Sequence, residues 1–367
     1  MDAYIPSARH YIDKKDVDAV VRALKSNSLS LGQQTQQFEE KFAQYLGVKH
    51  TVAVSSGTAG LHMAIRVLEL KKGDEVITSP FSFIASANCL LYERVKPIFV
   101  DIDRKTLNIN PNLIEKSITK KTKAILAIDI FGTPSDADEV NKIAEKYNLK
   151  VIGDCCEALG STYKGKMVGS LYDASVFGFF PNKQITSGEG GIIATNSDKL
   201  NEIFRSLRSQ GRPVNGEWGF HERLGYNYRM TEMEAALGLS QLNKFSWLVK
   251  KRQTIIDTYK KYLSQIKGIE LLETPNKCFA SRFTYIVRIK KNKRNQVMVD
   301  LDKNSIGYKK YFYPLHLQPY IKKEFGYKKG MFPICEKVSD ETLSLPFFIG
   351  LSKNEIKYIC KVIEESI

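Results

Sequence analysis

Val176–Thr195 reads VFGFFPNKQITSGEGGIIAT and sets one lysine, Lys183, between an aromatic apolar strand and the glycine turn Ser187-Gly188-Glu189-Gly190-Gly191. A lysine held between apolar walls loses hydration, so its ammonium form is disfavoured and its amine becomes a usable nucleophile. A Schiff-base lysine needs that environment. Exposed loop lysines are far commoner, so the stretch takes its meaning from what lies upstream. Lys150-Val151-Ile152-Gly153-Asp154 is a short apolar strand ending in a carboxylate. A carboxylate at one strand's carboxyl end and a lysine after a later strand fit an enzyme that holds pyridoxal phosphate. The lysine forms the imine, and the acid keeps the pyridine nitrogen protonated so that the ring acts as an electron sink. Alone, Asp154 reads as readily as a helix cap or a surface turn residue.

Working outward, apolar strands are expected at Thr51–Val54, Glu75–Thr78, Pro97–Val100, Ala124–Asp129, Lys150–Gly153, Ser175–Phe180 and Gly191–Thr195. Helical patterns lie between most of them, at Thr58–Glu69, Ser82–Tyr92 and Ala137–Tyr147. This alternation predicts an α/β fold with a mostly parallel seven-stranded sheet between helices. In such sheets ligands collect beyond the carboxyl ends of the strands, where Asp154 and the turn Ser55-Ser56-Gly57-Thr58 fall. That turn feeds a helix, so its free N–H groups and the positive dipole end suit a phosphate. Without the lysine and the aspartate it reads better as a plain N-cap.

Two helical stretches precede the first strand, residues 11–25 and Thr35–Leu46, the second closing at Gly47 as a glycine C-cap. After Arg229 the pattern changes. Thr231–Val249 is expected as one long helix, opened by a Thr231/Glu234 capping box and running on through Lys250–Ile266. Short strands in Cys278–Ile289, a tyrosine-rich segment Tyr308–Tyr320 and a last helix Lys353–Glu365 complete a smaller α+β domain. The division expected is 1–245 for a large cofactor-binding domain with its N-terminal helical segment, and 246–367 for the small domain.

A chain of 367 residues can bury a large core, and 43% hydrophobic with 26% charged residues is ordinary for a globular enzyme. No apolar run approaches the roughly 20 residues of a membrane-spanning helix. The opening MDAYIPSARHYIDKKD lacks the apolar centre of a signal peptide, so a cytoplasmic enzyme with no membrane partner is expected. The six cysteines, Cys155 and Cys156 adjacent among them, have no metal-chelating spacing and read as reduced, mostly buried thiols. The net charge of +15 raises the question of nucleic acid, because lysines and aromatics mix in Arg288–Lys329. No recognised nucleic-acid motif accompanies them, so a solvated face that guides an anionic small substrate is expected.

The ordered motifs extend over nearly the whole chain: FEEKFAQYLG (Phe38–Gly47), AVSSGTAGLH (Ala53–His62), TSPFSF (Thr78–Phe83), VDID (Val100–Asp103), FGTP (Phe131–Pro134), GDCCEALGSTYKGKMVGS (Gly153–Ser170), FFPNKQITSGEGG (Phe179–Gly191) and LGYNYRMTEMEAALG (Leu224–Gly238). In this order and spacing the chain resembles the DegT/StrS-type sugar aminotransferases, members of the fold-type I pyridoxal-phosphate enzymes. The resemblance implies that Lys183 carries the cofactor as a Schiff base and that Asp154 pairs with the pyridinium nitrogen. It implies that Phe83 stacks on the ring, that Gly57 and Thr58 hold the phosphate, and that Asn227 reaches the phosphate of a neighbouring subunit. An obligate homodimer with shared sites follows. Arg229, Tyr313 and His316 are placed on the substrate side. The implied reaction moves an amino group from L-glutamate to a nucleotide-linked keto-deoxysugar for a surface glycan such as a capsule.

Three positions depart from the pattern. Gly178 stands where a phosphate-binding serine is frequent, and Glu157 where glutamine or histidine is frequent, near the cofactor's phenolic oxygen. Asp129 stands where many members carry a histidine ahead of the Phe131-Gly132 pair. These departures leave open the same chemistry on a smaller ketone such as a triose phosphate. A non-enzymatic regulatory protein of this fold is the distant alternative, and the retained Lys183 argues against it. Read from the residues alone, Phe83 fits a core aromatic, His316 fits a satisfied structural histidine, and Tyr226 and Arg229 fit pins for the following helix.

Overall fold

The computed structural model describes residues 4–213, 217 and 219–367. Seven strands form the main sheet: β1 His50–Val54, β2 Glu75–Thr78, β3 Lys96–Phe99, β4 Thr122–Ile128, β5 Lys150–Asp154, β6 Ala174–Gly178 and β7 Gly191–Thr195. Each lies within two residues of the segment read from the alternation. The spatial order is β1-β7-β6-β5-β4-β2-β3. β7 runs antiparallel to both of its neighbours, and every other pairing is parallel. The strands are buried almost throughout, as a sheet covered on both faces requires.

The first two helices are Lys14–Leu24, opened by an Asp13/Asp16 capping box, and Gln33–Leu46. Gly47 closes the second in the left-handed region, at φ 69°. This helix starts at Gly32, which offers no capping side chain, and the buried carboxylate of Glu232 takes that part from 200 positions away. It accepts from the N–H groups of Gly32, Gln34 and Thr35 at 2.9, 2.7 and 3.0 Å. The expected single helix from Thr231 to Ile266 is instead two, Glu232–Asn243 and Phe245–Leu263. The break is Lys244, at φ −109° and ψ 12°, whose ammonium leaves the helical path to pair with Asp16 and, at 2.7 Å, with Asp13. The capping box at Thr231 and Glu234 is formed.

Beyond the second of these helices lie β8 Ile269–Leu271, β9 Tyr285–Ile289 and β10 Thr342–Leu345, an antiparallel sheet with β9 in the middle. Tyr259, Leu263, Val287, Leu301, Leu343 and Ile359 form the centre of its core. Ile5 joins that core from the N-terminal end and exchanges backbone hydrogen bonds with Ser305 and Gly307. A second apolar cluster bridges the two sheets, with Phe81, Phe99 and Phe131 packed on Phe283, Phe312 and Phe332. Phe131 and Phe312 stack at 5.4 Å with their rings nearly parallel. No helix among the described residues is long and apolar enough to cross a membrane.

Candidate active site

The carboxyl ends of β5 and β6, the turn after β1 and the loop after β6 converge on one cavity of about 460 Å³. Lys183, Asp154, Glu157, Gly57, Thr58 and Phe83 all line it. These are residues from four separate segments of sequence, and chain topology alone brings them together. The turn Phe180–Lys183 closes with Lys183 N–H donating to the Phe180 carbonyl at 2.9 Å. The glycine turn behind it depends on Gly190, at φ 142°, where a Cβ would come within 2.4 Å of Ser187 Oγ and 2.6 Å of the Met230 methyl.

The surroundings of Lys183 are less apolar than the flanking sequence suggests. Its Nζ lies 3.5 Å from Glu157 Oε1 and 4.2 Å from the centre of the Phe283 ring. Glu157 is held from its other side, where Oε2 accepts the Phe131 N–H at 2.8 Å. Burial pushes the Glu157 carboxyl up, and the neighbouring Lys183 ammonium opposes that shift. Phe131 reaches this position through a left-handed backbone, φ 53°, an uncommon conformation outside glycine.

Asp154 is nearly fully buried. Its Oδ2 accepts from Ser86 Oγ at 2.7 Å and its Oδ1 from the Cys156 N–H at 3.2 Å. Ser82 Oγ stands 2.9 Å behind Ser86 Oγ and continues the chain of hydroxyls. The acid is thereby fixed in place and faces the cavity. At the opposite wall the helix Gly57–Arg66 begins, with Ser56 Oγ accepting from the Ala59 N–H at 3.0 Å. The backbone is bare there: a Cβ on Gly57 would lie 3.1 Å from Cys156 Sγ and 3.3 Å from Gly178 Cα. Glycine leaves the first N–H groups of the helix open to a phosphate.

Phe83 is not a core aromatic. It is 60% exposed at the rim of the cavity, whereas its neighbour Phe81 is fully buried in the bridging cluster. The Asn182 side-chain oxygen is buried in the wall and has no hydrogen-bond partner among the described residues. A helix N-terminus with bare glycine, a fixed acid, an amine and a free aromatic face in one pocket fit pyridoxal phosphate.

Four expected site residues lie outside the cavity lining. Asn227 is exposed, in a bridge with Ser209, on a segment whose Tyr228 carbonyl accepts the Ser55 N–H at 2.8 Å. Arg229 is half-buried beside it. Tyr313 is exposed and its hydroxyl donates to the Leu317 carbonyl at 3.4 Å. His316 corrects the expectation most clearly. It is fully buried, with Nε2 3.0 Å from Glu336 Oε1 and its ring edge against Phe332, a structural histidine within the fold of this chain. Burial pushes its pKa down.

Several lining residues were not singled out in the sequence. Asn182 sits next to Lys183 within the FFPNKQ motif and Tyr311 lies in the tyrosine-rich segment, whereas Ser86 and Phe283 have no local signature.

Asp129, at the end of β4, faces away from the lysine. Its Oδ1 accepts from Ser135 N–H and Oγ at 2.7 and 2.8 Å, and Oδ2 takes the Cys155 thiol at 3.2 Å. Burial outweighs these bonds and pushes its pKa up to about 6. A carboxyl raised in the folded state contributes its full stability below its unfolded value near 3.8, and that contribution is lost as pH rises through about 6. Asp129→Asn should therefore gain stability over wild type as pH rises, by about 2 kcal/mol between pH 4 and pH 8. Urea unfolding at both pH values measures this, and a gap that does not change would refute it.

Residues 10–364 match the DegT/DnrJ/EryC1/StrS aminotransferase family. The chain is 37% identical over 363 residues to a GDP-perosamine synthase of Escherichia coli O157:H7, covering 99% of this chain and 98% of that one. It superimposes on PseC of Helicobacter pylori, an aminotransferase involved in the biosynthesis of pseudoaminic acid, with a TM-score of 0.94 at 30% identity and 99% of both chains covered. The putative sugar aminotransferase Spr1654 of Streptococcus pneumoniae, in its PMP form, matches with a TM-score of 0.94 at 28% identity, over 99% of this chain and 98% of that one.

Proposed function

The chain belongs to the DegT/DnrJ/EryC1/StrS aminotransferase family and is a pyridoxal-phosphate-dependent aminotransferase, and from that footing we propose that it aminates the ketone of a nucleotide-linked keto-deoxysugar with L-glutamate as donor. The observation that carries this reading is the convergence of Lys183, Asp154 and the Gly57 helix terminus on one cavity. Bound pyridoxal phosphate supplies an electron-withdrawing ring that takes up the electron pair left when a Cα–H bond breaks.

The residues of the chain do the rest. Asp154, fixed by Ser86 and the Cys156 amide, keeps a proton on the ring nitrogen. Lys183 anchors the cofactor, then takes a proton from the substrate carbon and returns it as general acid and base. Gly57 and Thr58 hold the phosphate, and Phe83 covers one face of the ring. Glu157 stands beside the amine as its counter-charge.

The exposed Asn227 serves the phosphate of a second copy, in a cytoplasmic homodimer with shared sites. Its place outside its own cavity supports that reading. Arg229 and Tyr313 meet substrate at the same junction. A net charge of +15 favours an anionic substrate, and relatives named for GDP-perosamine and pseudoaminic acid support a sugar destined for a surface polysaccharide such as a capsule.

The test is a substrate panel read by loss of pyridoxamine-form absorbance. A nucleotide-linked keto sugar should exceed a triose phosphate in kcat/KM by about 10²-fold or more, the discrimination that polar contacts to the nucleotide supply. Preference for the triose phosphate would overturn the assignment and move the same chemistry to small ketose phosphates.

A further inference from the structure

Arg252 projects from the middle of the helix Phe245–Leu263 and is 92% buried, yet no carboxylate lies within ion-pair distance of it among the described residues. Burial pushes its pKa down to about 10, so it stays charged near neutral pH. A buried cation without a counter-ion is costly, and a structural role alone would be served by an apolar side chain of similar size. What the guanidinium does instead is hold two backbone carbonyls. Nη2 donates to the Lys183 carbonyl at 3.0 Å and Nη1 to the Phe283 carbonyl at 3.4 Å, while the carbon at its centre sits 5.3 Å over the Phe347 ring. Phe283 carries the ring that faces the Lys183 amine. Gln184, the next residue, staples the same two segments: its side-chain amide donates to the Ser281 and Glu157 carbonyls, both at 2.7 Å.

Resting on the reading of Lys183 as the reactive amine, we propose that Arg252 is its positioning residue, clamping the Lys183 and Phe283 backbones together so that the amine stays over the Phe283 ring and beside Glu157. Arg252 touches neither cofactor nor substrate. It acts through the lysine, and it links the helix that leads into the small sheet to the one group that must be placed accurately.

Arg252→Met should lower kcat about 10²-fold, the cost of a misplacement of roughly 1 Å, with KM for the amino donor changed less than about three-fold. Cofactor-free Arg252→Met should also recapture added pyridoxal phosphate on Lys183 about ten-fold more slowly. That rate is followed by absorbance and checked by borohydride trapping with peptide mapping. Arg252→Lys keeps the charge and reaches one carbonyl, so it should recover part of both losses. Tyr259→Phe removes a hydroxyl that donates to the Pro346 carbonyl from the same helix, and it should lower the unfolding midpoint while leaving kcat and recapture unchanged. Wild-type recapture and kcat in Arg252→Met would overturn the proposal. If that variant does not fold, wild-type values in Arg252→Lys would overturn it instead. Wild-type protein that traps no cofactor on Lys183 would overturn the reading of the lysine itself, and the proposal with it.

Discussion

Lys183→Ala should abolish turnover, by at least about 10⁴-fold, in a protein that still folds. The loss is large because, on the proposed reading, one side chain has two tasks, anchoring the cofactor and moving the substrate proton, and no other lysine lines the cavity among the described residues. Folding should survive because the amine makes few contacts: the Glu157 carboxylate at 3.5 Å and the face of Phe283. Its removal leaves Glu157 without its positive neighbour. A buried carboxyl in that position takes up a proton rather than remaining as an unpaired charge. The penalty is confined to higher pH, since the raised Glu157 carboxyl loses stability only as pH climbs through its folded value. Circular dichroism and the unfolding midpoint should match wild type at mildly acidic pH, while a coupled glutamate assay reads no product. Turnover near the wild-type rate in Lys183→Ala would show that another group is the amine.

Asp154→Ala should cost on the order of 10³-fold in kcat, about 4 kcal/mol of transition-state stabilisation, even with cofactor bound. The acid is nearly fully buried and both of its oxygens are fixed, one by Ser86 Oγ and one by the Cys156 N–H. An anion held that firmly in a site shielded from water keeps a proton on a facing nitrogen far better than solvent can. Asp154→Asn retains the shape and the hydrogen-bond capacity but loses the charge, so it should fall nearly as far. A loss of cofactor affinity with kcat preserved at saturation would show that Asp154 serves binding alone. Ser86→Ala should weaken the same effect, because Ser86 orients the acid and does not meet the cofactor.

The strands, their order in the chain and the residues of the two principal motifs were legible in the sequence because they are local. A buried parallel strand is a short apolar run, and its carboxyl end is marked by the polar residue that follows, as Asp154 follows Val151-Ile152-Gly153. Glycine at positive φ leaves a mark too, as at Gly47 and Gly190. The break at Lys244 was not legible. Residues 231–266 keep helical periodicity through it, and only the pull of Asp13 and Asp16 from the other end of the chain turns the backbone there.

His316 shows the same boundary from the other side. A histidine in a tyrosine-rich segment has the composition of a substrate contact, but packing buries it against Glu336 and Phe332. Phe81 and Phe83 are two residues apart and chemically identical. One lies in the core and the other lines the cavity, according to which way the loop after β2 turns.

Local chemistry in this chain was enough to specify a fold class, and it offered a lysine, an acid and a glycine turn whose meaning came from their order along the chain and not from any one of them alone. The wall of the pocket was settled by folding. Ser86 stands 68 positions from Asp154, Glu157 lies 26 and Phe283 100 from Lys183, and Arg252 lies 69 from the lysine carbonyl it holds. Contacts at that range come from the crossovers of a parallel sheet and the packing of a second sheet against it, which leave no periodic trace in the residues involved.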